Sequence, residues 1–263
     1  MPTTDLPAAL AGRPWFIAGA SGYTGRALVT ALRAAGLPVI AHLRPGSGQR
    51  AQLAPAWEAL GATVDETPWD AAAMTARFVD LGPAVVFGLL GTTRARAAAE
   101  AKAGQQASTY EAVDRDLTLL LLRAAAAAPA RPRPLFVYLS SLGADRPGGN
   151  RYLQARHRVE AELRVGDLPH LIARPSFITG PDRAEDRPGE RIGAAVADRA
   201  LGILGALGAR QTADRYRSID ADGLARALRA LSLEELRRAA AQPDPAVPSG
   251  RTVQGEDLQA AAR

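Results

Sequence analysis

The stretch that decides the fold is Gly19-Ala-Ser-Gly22-Tyr-Thr-Gly25, which stands between a short apolar run at residues 14–18 and a helical pattern at residues 25–35. Glycine permits a tight turn and a close backbone approach, and a helix N-terminus offers free N–H groups to an anion. A strand, a glycine turn and a helix in this order predict a loop that binds the pyrophosphate of a dinucleotide. The spacing departs from the common G-x-G-x-x-G pattern, and close packing of strand against helix is the alternative explanation for the glycines.

Short apolar runs alternate with helical segments through most of the chain. Further strands are predicted at residues 39–43, 62–64, 84–90, 135–139 and 171–173, and helices at residues 108–128 and 150–165. Strands that alternate with helices form βαβ units, and these units build a parallel sheet with ligands at the carboxyl ends of its strands. We therefore expect one α/β domain over residues 1–263: a Rossmann-type, doubly wound parallel sheet with helices on both faces.

The pattern changes in the C-terminal part of the chain. Residues 176–218 contain two Gly/Pro pairs and an apolar, glycine-spaced run at residues 192–207. We expect this segment to be a small lid that covers a substrate or faces a partner. Further on, Ser232-Leu-Glu-Glu235 has the capping-box pattern and predicts the start of another helix. Residues 252–253 are predicted as a last short strand.

The composition excludes several kinds of site. Cysteine is absent, so disulfides, a thiolate nucleophile and a cysteine-ligated metal are excluded. The three histidines, His42, His157 and His170, lie far apart in the sequence, and we predict no metal site. Hydrophobic residues make up 47 % of the 263 residues, which is enough for a sizeable core.

The net charge of +5 is not arranged for nucleic acid. Arginines are interleaved with Asp and Glu and no basic run carries stacking aromatic residues, so no nucleic-acid partner is expected. The apolar run at residues 117–128 is short for a bilayer and contains Arg123, which favours a buried amphipathic helix and no membrane contact. Residues 1–12 lack a signal-peptide pattern, and we expect a cytoplasmic protein. The long helices after the fourth and fifth strands offer a face for an isologous homodimer.

The choice between dinucleotides is read from the end of the second strand. NAD sites place an acidic residue there, about 20 residues after the glycine loop. Between Arg26 and Trp57 the chain has no acidic residue, and the strand ends with His42-Leu-Arg44, with Arg50 following. A guanidinium can hold the 2′-phosphate of NADP(H) through paired, charge-assisted hydrogen bonds. We therefore predict NADP(H) as the preferred cofactor and NAD(H) as the alternative, although Arg44 could also be an ordinary solvated arginine.

Several ordered motifs follow the glycine loop: Leu90-Gly-Thr-Thr93, Val113-Asp-Arg-Asp116, Leu139-Ser-Ser-Leu-Gly-Ala-Asp145, Tyr152-Leu-Gln-Ala-Arg156, Arg174-Pro175 and Arg187-Pro-Gly-Glu190. With them the chain resembles the atypical short-chain dehydrogenase/reductases, in the branch of Tat-interactive-protein-like oxidoreductases. The resemblance covers roughly residues 16–191, with a weaker similarity near Val253. It implies an NAD(P)-binding Rossmann fold and oxidoreductase activity.

The resemblance also implies which residues contact the cofactor. It places Asp65 at the adenine, residues 90–92 at the adenosine ribose and the central part, and residues 175–178 near the nicotinamide amide. Tyr23, in the glycine loop, is expected to pack on the cofactor. For each of these positions an ordinary strand-end or cap residue is the alternative. Together with Arg44, the predicted cofactor-binding residues are Gly19, Ser21, Gly22, Tyr23, Thr24, Gly25, Arg44, Asp65, Leu90, Gly91, Thr92, Tyr152, Arg156, Pro175, Ser176 and Phe177.

Catalysis in the resembling family uses a serine, a tyrosine and a lysine. The tyrosine donates a proton to a carbonyl as the nicotinamide delivers hydride, the lysine stabilises the tyrosinate and holds the ribose, and the serine orients the carbonyl. The corresponding residues here are Ser141 (or its neighbour Ser140), Tyr152 and Arg156. Tyr152 and Arg156 are four residues apart and share a helix face.

Arg156 stands where a lysine is expected, and this substitution leaves two hypotheses. Arginine keeps the positive charge but does not release a proton, because its pKa lies above about 12. The first hypothesis is an NADP(H)-dependent reductase of a small carbonyl compound, with Tyr152 as the acid. The second is a regulator or redox sensor that binds NADP(H) and turns over little or nothing.

Overall fold

The strands predicted from the apolar runs are present, together with helices that the sequence pattern did not reveal. The structure is a computed structural model that describes residues 6–92, 94–104, 107–129, 132–179, 217–241 and 249–263. Its strands are β1 (Trp15–Ala18), β2 (Val39–His42), β3 (Thr63–Asp65), β4 (Val85–Gly88), β5 (Leu135–Leu139), β6 (His170–Ala173), β7 (Ile178–Thr179), β8 (Ile219–Asp220) and β9 (Gly250–Val253). Its α-helices are α1 (Tyr23–Ala34), α2 (Arg50–Ala59), α3 (Ala71–Leu81), α4 (Arg94–Lys102), α5 (Thr118–Ala127), α6 (Arg151–Val165), α7 (Ala221–Ala240) and α8 (Gly255–Ala261).

Seven of these strands form one parallel sheet in the order β3-β2-β1-β4-β5-β6-β9. The chain winds outward from β1 in both directions, so β1 and β4 are neighbours where the strand order reverses. In open α/β sheets, ligands bind at this switch point, outside the carboxyl ends of the strands. The predicted doubly wound α/β fold is confirmed.

Side chains of β1 alternate between the two faces of the sheet, as the pleat requires. Trp15 and Ile17 belong to the apolar cluster that includes leucines of α1 and α7, whereas Phe16 belongs to the cluster with Phe78 of α3 and Leu121 of α5. All of β1 is buried, which is typical of a central strand covered by helices on both sides. The core therefore holds the carboxyl end of β1, and the glycine loop after it, in a fixed place.

Two helix predictions need correction. The capping-box pattern at Ser232 does not begin a helix, because α7 begins after Asp220, whose carboxylate accepts the Gly223 N–H at 2.6 Å. Ser232 lies buried inside α7, and its hydroxyl donates to the Leu228 carbonyl at 2.6 Å. The helix predicted at residues 108–128 is divided, because a π-helix (Tyr110–Leu117) runs directly into α5.

The C-terminal part adds a strand to the main sheet and a small sheet beside it. Strand β9 contains the strand predicted at residues 252–253 and begins two residues earlier; it pairs with β6 in parallel. Strands β7 and β8 pair with each other. The predicted lid at residues 176–218 is described at its two ends, and its apolar run at residues 192–207 lies outside the described residues. In the described part of the chain, none of the helices combines the length and apolar character that a bilayer crossing requires.

Candidate functional site

The three glycines of the loop after β1 differ in the space that a side chain would find at each position. Gly19 has φ +86°, and a Cβ there would lie 2.7 Å from the Leu89 carbonyl oxygen at the end of β4. A Cβ on Gly25 would lie 2.2 Å from the Gly19 carbonyl oxygen. Gly22 is exposed, and a Cβ there would meet only the same oxygen at 3.2 Å. Gly19 and Gly25 therefore allow the turn to pack tightly, and Gly22 leaves its outer surface open.

The open surface at Gly22 is the N-terminus of α1. Gly22 is the N-cap, no side chain caps the helix, and the first turn contains no acidic residue. The first N–H groups of a helix have no partner within the helix, and the helix dipole makes this end positive. Ser21 is half-buried and Thr24 is buried beside it. This uncapped, positive helix N-terminus is a suitable site for the pyrophosphate of a dinucleotide.

Tyr23 connects the glycine loop to the small sheet. Its side chain is half-buried, and its hydroxyl donates to the carbonyl of Thr179 in β7 at 3.1 Å. The contact ties the first turn of α1 to the segment that follows β6. The expected packing of Tyr23 on a cofactor stays a prediction.

Two arginines follow β2, and their surroundings differ. Arg50 donates from Nε to the Glu66 carboxylate at 2.8 Å. Arg44, two residues beyond the end of β2, is exposed and forms no ion pair with any residue that the structure describes. Of these two arginines, Arg44 is therefore the one that can bind an anionic group without losing an ion pair with a carboxylate.

Asp65, at the end of β3, makes protein contacts with both carboxylate oxygens. It accepts the Nε–H of Arg77 in α3 at 2.6 Å and the N–H of Thr67 at 3.0 Å. Burial acts to raise the pKa of Asp65, but the bonds from Thr67 and Arg77 outweigh it and hold the pKa below its ordinary value. These contacts fix the turn after β3, and the predicted adenine contact of Asp65 stays a prediction.

The predicted ribose-lining residues after β4 contact α6 and the π-helix. The carbonyl of Leu90 accepts from Arg156 Nη2 at 3.1 Å, and a Cβ on Gly91 would lie 3.0 Å from the same nitrogen. The N–H of Thr92 donates to the Asp114 carboxylate at 2.9 Å. The Thr92 hydroxyl is buried and has no hydrogen-bond partner among the described residues. Thr92 follows Leu89 and Leu90, which lie against Gly19, and a buried hydroxyl without a partner in this segment supports a bound polar ligand.

Arg156 is buried, and its two terminal nitrogens are engaged by the protein. Of the five N–H donors of an arginine, four belong to these nitrogens. They contact the Tyr138 hydroxyl at 3.4 Å, the Leu139 carbonyl at 2.5 Å, the Leu90 carbonyl at 3.1 Å and the Asp114 carboxylate at 2.7 Å. Nε is buried without a hydrogen-bond partner among the described residues. The guanidinium therefore joins β4, β5 and the π-helix to α6.

The protonation of this cluster is set by burial and by Arg156. Burial acts to lower the pKa of Arg156, but Tyr138, Tyr152 and Asp114 outweigh it and move the pKa upward. Burial raises the pKa of the Asp114 carboxyl, although the charge of Arg156 acts to lower it. Burial also raises the pKa of Tyr138, which is fully enclosed. Arg156 accordingly stays charged, and Tyr138 is a poor proton donor.

Tyr152, unlike the enclosed Tyr138, reaches the surface. It is half-buried, and its ring makes a T-shaped contact with Tyr110, with centroids 5.4 Å apart. The Arg156 Cζ lies 5.1 Å from the Tyr152 ring centroid and 5.6 Å from that of Tyr138. Tyr152 and Arg156 therefore face the same side of α6, and the cation lies between two tyrosine rings.

The two serines after β5 are distinguished by their partners. Ser140 is buried, and its hydroxyl donates to the Glu160 carboxylate at 2.6 Å. Ser141 is half-buried, and its hydroxyl makes a long contact of 3.4 Å with the Leu142 carbonyl. Of the pair, Ser141 has the hydroxyl that is available to a ligand.

Residues 175–177 lead from β6 to the small sheet. The carbonyl of Pro175 accepts the Leu142 N–H at 3.0 Å, and the Ser176 hydroxyl donates to the Arg217 carbonyl at 2.8 Å. Phe177 is 59 % exposed, which is unusual for a phenylalanine. The segment therefore runs beside the strand end that carries Ser141.

Two carboxylates of the site were not predicted. Asp114 belongs to the Val113-Asp-Arg-Asp116 motif, but the sequence gives no sign that it pairs with Arg156, 42 residues later. Glu160 lies four residues after Arg156, so helical spacing alone places it on the same face. Its contacts with Ser140 and Arg174 depend on the order of the strands, which the spacing does not reveal.

Comparison with known proteins agrees with this geometry. The model of a family described as NAD(P)H-binding matches residues 19–233. No curated protein matches the chain in sequence. Among solved structures, a candidate epimerase from Burkholderia cenocepacia J2315 has a TM-score of 0.59 at 21 % identity, over 97 % of this chain and 93 % of that one.

Two further solved structures contain NAD. UDP-glucose 4-epimerase from Brucella ovis has a TM-score of 0.58 at 15 % identity, over 92 % of this chain and 77 % of that one. The enzyme WbmG from Bordetella bronchiseptica has a TM-score of 0.58 at 16 % identity, over 92 % of this chain and 72 % of that one. At identities this low, the structural similarity shows a shared fold and nothing more.

Proposed function

The chain belongs to the NAD(P)H-binding family, and from this premise we propose that it binds NADP(H) and reduces a small carbonyl compound. The narrower place among the Tat-interactive-protein-like oxidoreductases is part of this proposal. The observation that carries it is the uncapped, positive N-terminus of α1 at the switch point of the sheet, together with the available guanidinium of Arg44 after the neighbouring strand β2. NAD(H), which two of the compared structures contain, is the alternative cofactor.

Each residue of the site has a defined task in this proposal. When bound, NADPH supplies the hydride that, with a proton from the protein, turns a carbonyl into an alcohol. The N–H groups of residues 19–25 hold the pyrophosphate, and Arg44 holds the 2′-phosphate. Tyr152 donates its hydroxyl proton to the carbonyl oxygen, which Ser141 orients. The charge of Arg156 beside the Tyr152 ring stabilises the phenolate that remains.

The surroundings of Arg156 favour a second candidate, an NADP(H)-binding regulator or redox sensor. In the resembling family a lysine at this position holds the ribose and passes protons. Here the terminal nitrogens of Arg156 are engaged by Leu90, Leu139 and Asp114 and are not available to a ribose. An arginine also releases no proton near neutral pH. A chain built in this way could bind the dinucleotide and reduce substrates slowly or not at all.

The choice of dinucleotide is tested by calorimetric titration of the wild type and of Arg44→Ala with NADPH and with NADH. Loss of a guanidinium–phosphate pair should weaken NADPH binding about 10- to 100-fold, because hydrogen bonds to charged groups contribute about 1.5–3 kcal/mol. NADH binding should not change. Arg50→Ala is the matched control, since Arg50 already pairs with Glu66. Equal losses for NADPH and NADH in Arg44→Ala would contradict the assignment.

The two candidates are separated by NADPH oxidation with a panel of small aldehydes and ketones. If the chain is a reductase, Tyr152→Phe should lower the rate about 100- to 10,000-fold, because general acid catalysis contributes that much. The affinity of this variant for NADPH should fall by no more than about tenfold, because only one hydroxyl contact to the cofactor is lost. Tight NADPH binding, no oxidation with any member of the panel and no effect of Tyr152→Phe would support the regulator instead.

A further inference from the structure

A buried carboxylate that the sequence did not predict, Glu160, joins three elements of the candidate site: α6 and the ends of β5 and β6. Glu160 in α6 is completely buried. Its oxygens accept from Ser140 Oγ at 2.6 Å, from Arg164 Nη2 at 2.6 Å, and from both Nε, at 2.8 Å, and Nη2 of Arg174. Burial acts to raise the pKa of Glu160, but the bonds from Arg174, Ser140 and Arg164 outweigh it and keep the pKa below its ordinary value. Glu160 is therefore ionised at neutral pH.

Two of the three side chains that Glu160 holds lie at the ends of neighbouring strands. Ser140 follows β5 and Arg174 follows β6, and the Ser140 N–H donates to the Ala173 carbonyl at 2.8 Å. Two residues further along each strand, the Leu142 N–H donates to the Pro175 carbonyl at 3.0 Å. The pairing of β5 with β6 thus continues beyond both strands, at the edge of the sheet where ligands bind in this fold.

Stability alone is a weak explanation for this cluster. The free energy lost when a carboxylate and a guanidinium leave water is about as large as the free energy gained from their attraction. Apolar pairs of similar size therefore often stabilise a protein better. What the cluster does supply is geometry. The paired bonds of Arg174 fix its guanidinium relative to the carboxylate, and Ser140 is fixed to the same group.

We propose that Glu160 is a positioning residue: its carboxylate sets the distance between the strand ends that carry Ser141 and Pro175 and holds both against α6. Glu160 lies one helical turn after Arg156 and two turns after Tyr152, so one helix face positions the serine, the tyrosine and the segment at residues 175–177. The part of the proposal that concerns a ligand rests on the proposed function, because residues 175–177 are expected beside the nicotinamide half of the cofactor.

The positioning claim is tested by amide hydrogen exchange on the full chain. Ser140→Ala removes one link without leaving a buried charge, Arg174→Lys keeps the charge but loses the paired geometry, and Glu160→Gln removes the charge. In each variant, the Leu142 amide should exchange at least about tenfold faster relative to the amides of β1, because the strand ends open locally. The control is Val159→Ala, a buried apolar neighbour in α6, in which this ratio should not change. An unchanged ratio in Ser140→Ala and Arg174→Lys would overturn the proposal.

The ligand claim is tested by titrating the same variants with NADPH and with adenosine 2′,5′-bisphosphate, which carries only the adenosine half. Ser140→Ala and Arg174→Lys should weaken NADPH about tenfold and leave the bisphosphate unchanged. Faster exchange with an unchanged ratio of the two affinities would overturn the ligand claim. A wild type that binds neither compound would overturn the proposed function and the ligand claim together, while the exchange experiment would still decide the positioning claim.

Discussion

At the scale of single residues, Arg156 is the position at which the structure adds most to what the sequence predicted. The sequence placed it on the same helix face as Tyr152 and identified it as the departure from the lysine of the resembling family. It could not show that the guanidinium is enclosed. The carbonyls that enclose it belong to Leu90 and Leu139, which precede it by 66 and 17 residues and meet it because β4 and β5 are adjacent.

The enclosure of Arg156 predicts a large loss of stability in Arg156→Met. The Asp114 carboxylate would be left buried and unpaired, and breaking a buried pair in this way costs about 3–5 kcal/mol of unfolding free energy. Arg151→Met, on the same helix, is the control: Arg151 is exposed and lies 3.9 Å from Glu111, so its replacement should cost less than about 1 kcal/mol. Urea unfolding of the two variants measures the difference. Similar losses in both would contradict the interpretation of Arg156 as a buried anchor.

At the scale of elements, the seven strands of the main sheet were predictable, whereas the two strands of the small sheet and several helices were not. A fully buried parallel strand is a short apolar run, and each such run became a strand within one or two residues. Helix α3 was missed although Asp70 caps its start and Gly82, with φ +50°, ends it. The π-helix lies within the helix predicted at residues 108–128, but the sequence pattern did not reveal that its first part has the wider π turn.

The contact between β3 and α3 predicts how stability depends on pH. The folded pKa of Asp65 lies below its ordinary value, so its ion pair stabilises the fold above the unfolded pKa of about 3.9. That contribution is lost as the pH falls through the lowered, folded pKa. The wild type should therefore exceed Asp65→Asn in unfolding free energy by a constant amount above about pH 5, and the difference should shrink below about pH 4.

Chemical unfolding at a series of pH values measures this difference. The matched control is Asp80→Asn, because Asp80 also contacts Arg77, at 2.7 Å, but its side chain is 72 % exposed. Exposed ion pairs contribute little, so this variant should follow the wild type within about 1 kcal/mol at every pH. A difference for Asp65→Asn that grows as the pH falls would show that the sign of the pKa shift is wrong.

At the scale of the whole molecule, topology assembles the site. The glycine loop, Arg44, residues 90–92, Tyr152 and residues 175–177 come from segments spread over more than half of the sequence. Because the strands are parallel and wind outward from β1, these segments all follow the same edge of the sheet. The glycine motif and the alternation of strands and helices were sufficient to predict that edge. The partners of Arg156 and Glu160 required the structure, since they depend on which strands are neighbours.

The central claim is that the N–H groups around residues 19–25 hold the pyrophosphate of a nicotinamide dinucleotide. Calorimetric titration of NADPH into the wild type and into Gly22→Asp tests it most directly. Aspartate is a favourable N-cap and a Cβ at Gly22 meets only one oxygen, at 3.2 Å, so the variant should fold. Its negative charge should repel the pyrophosphate and weaken binding at least about 100-fold, which is about 2.7 kcal/mol. Undiminished binding to Gly22→Asp, or no heat from NADPH or NADH with the wild type at about millimolar concentration, would contradict the account.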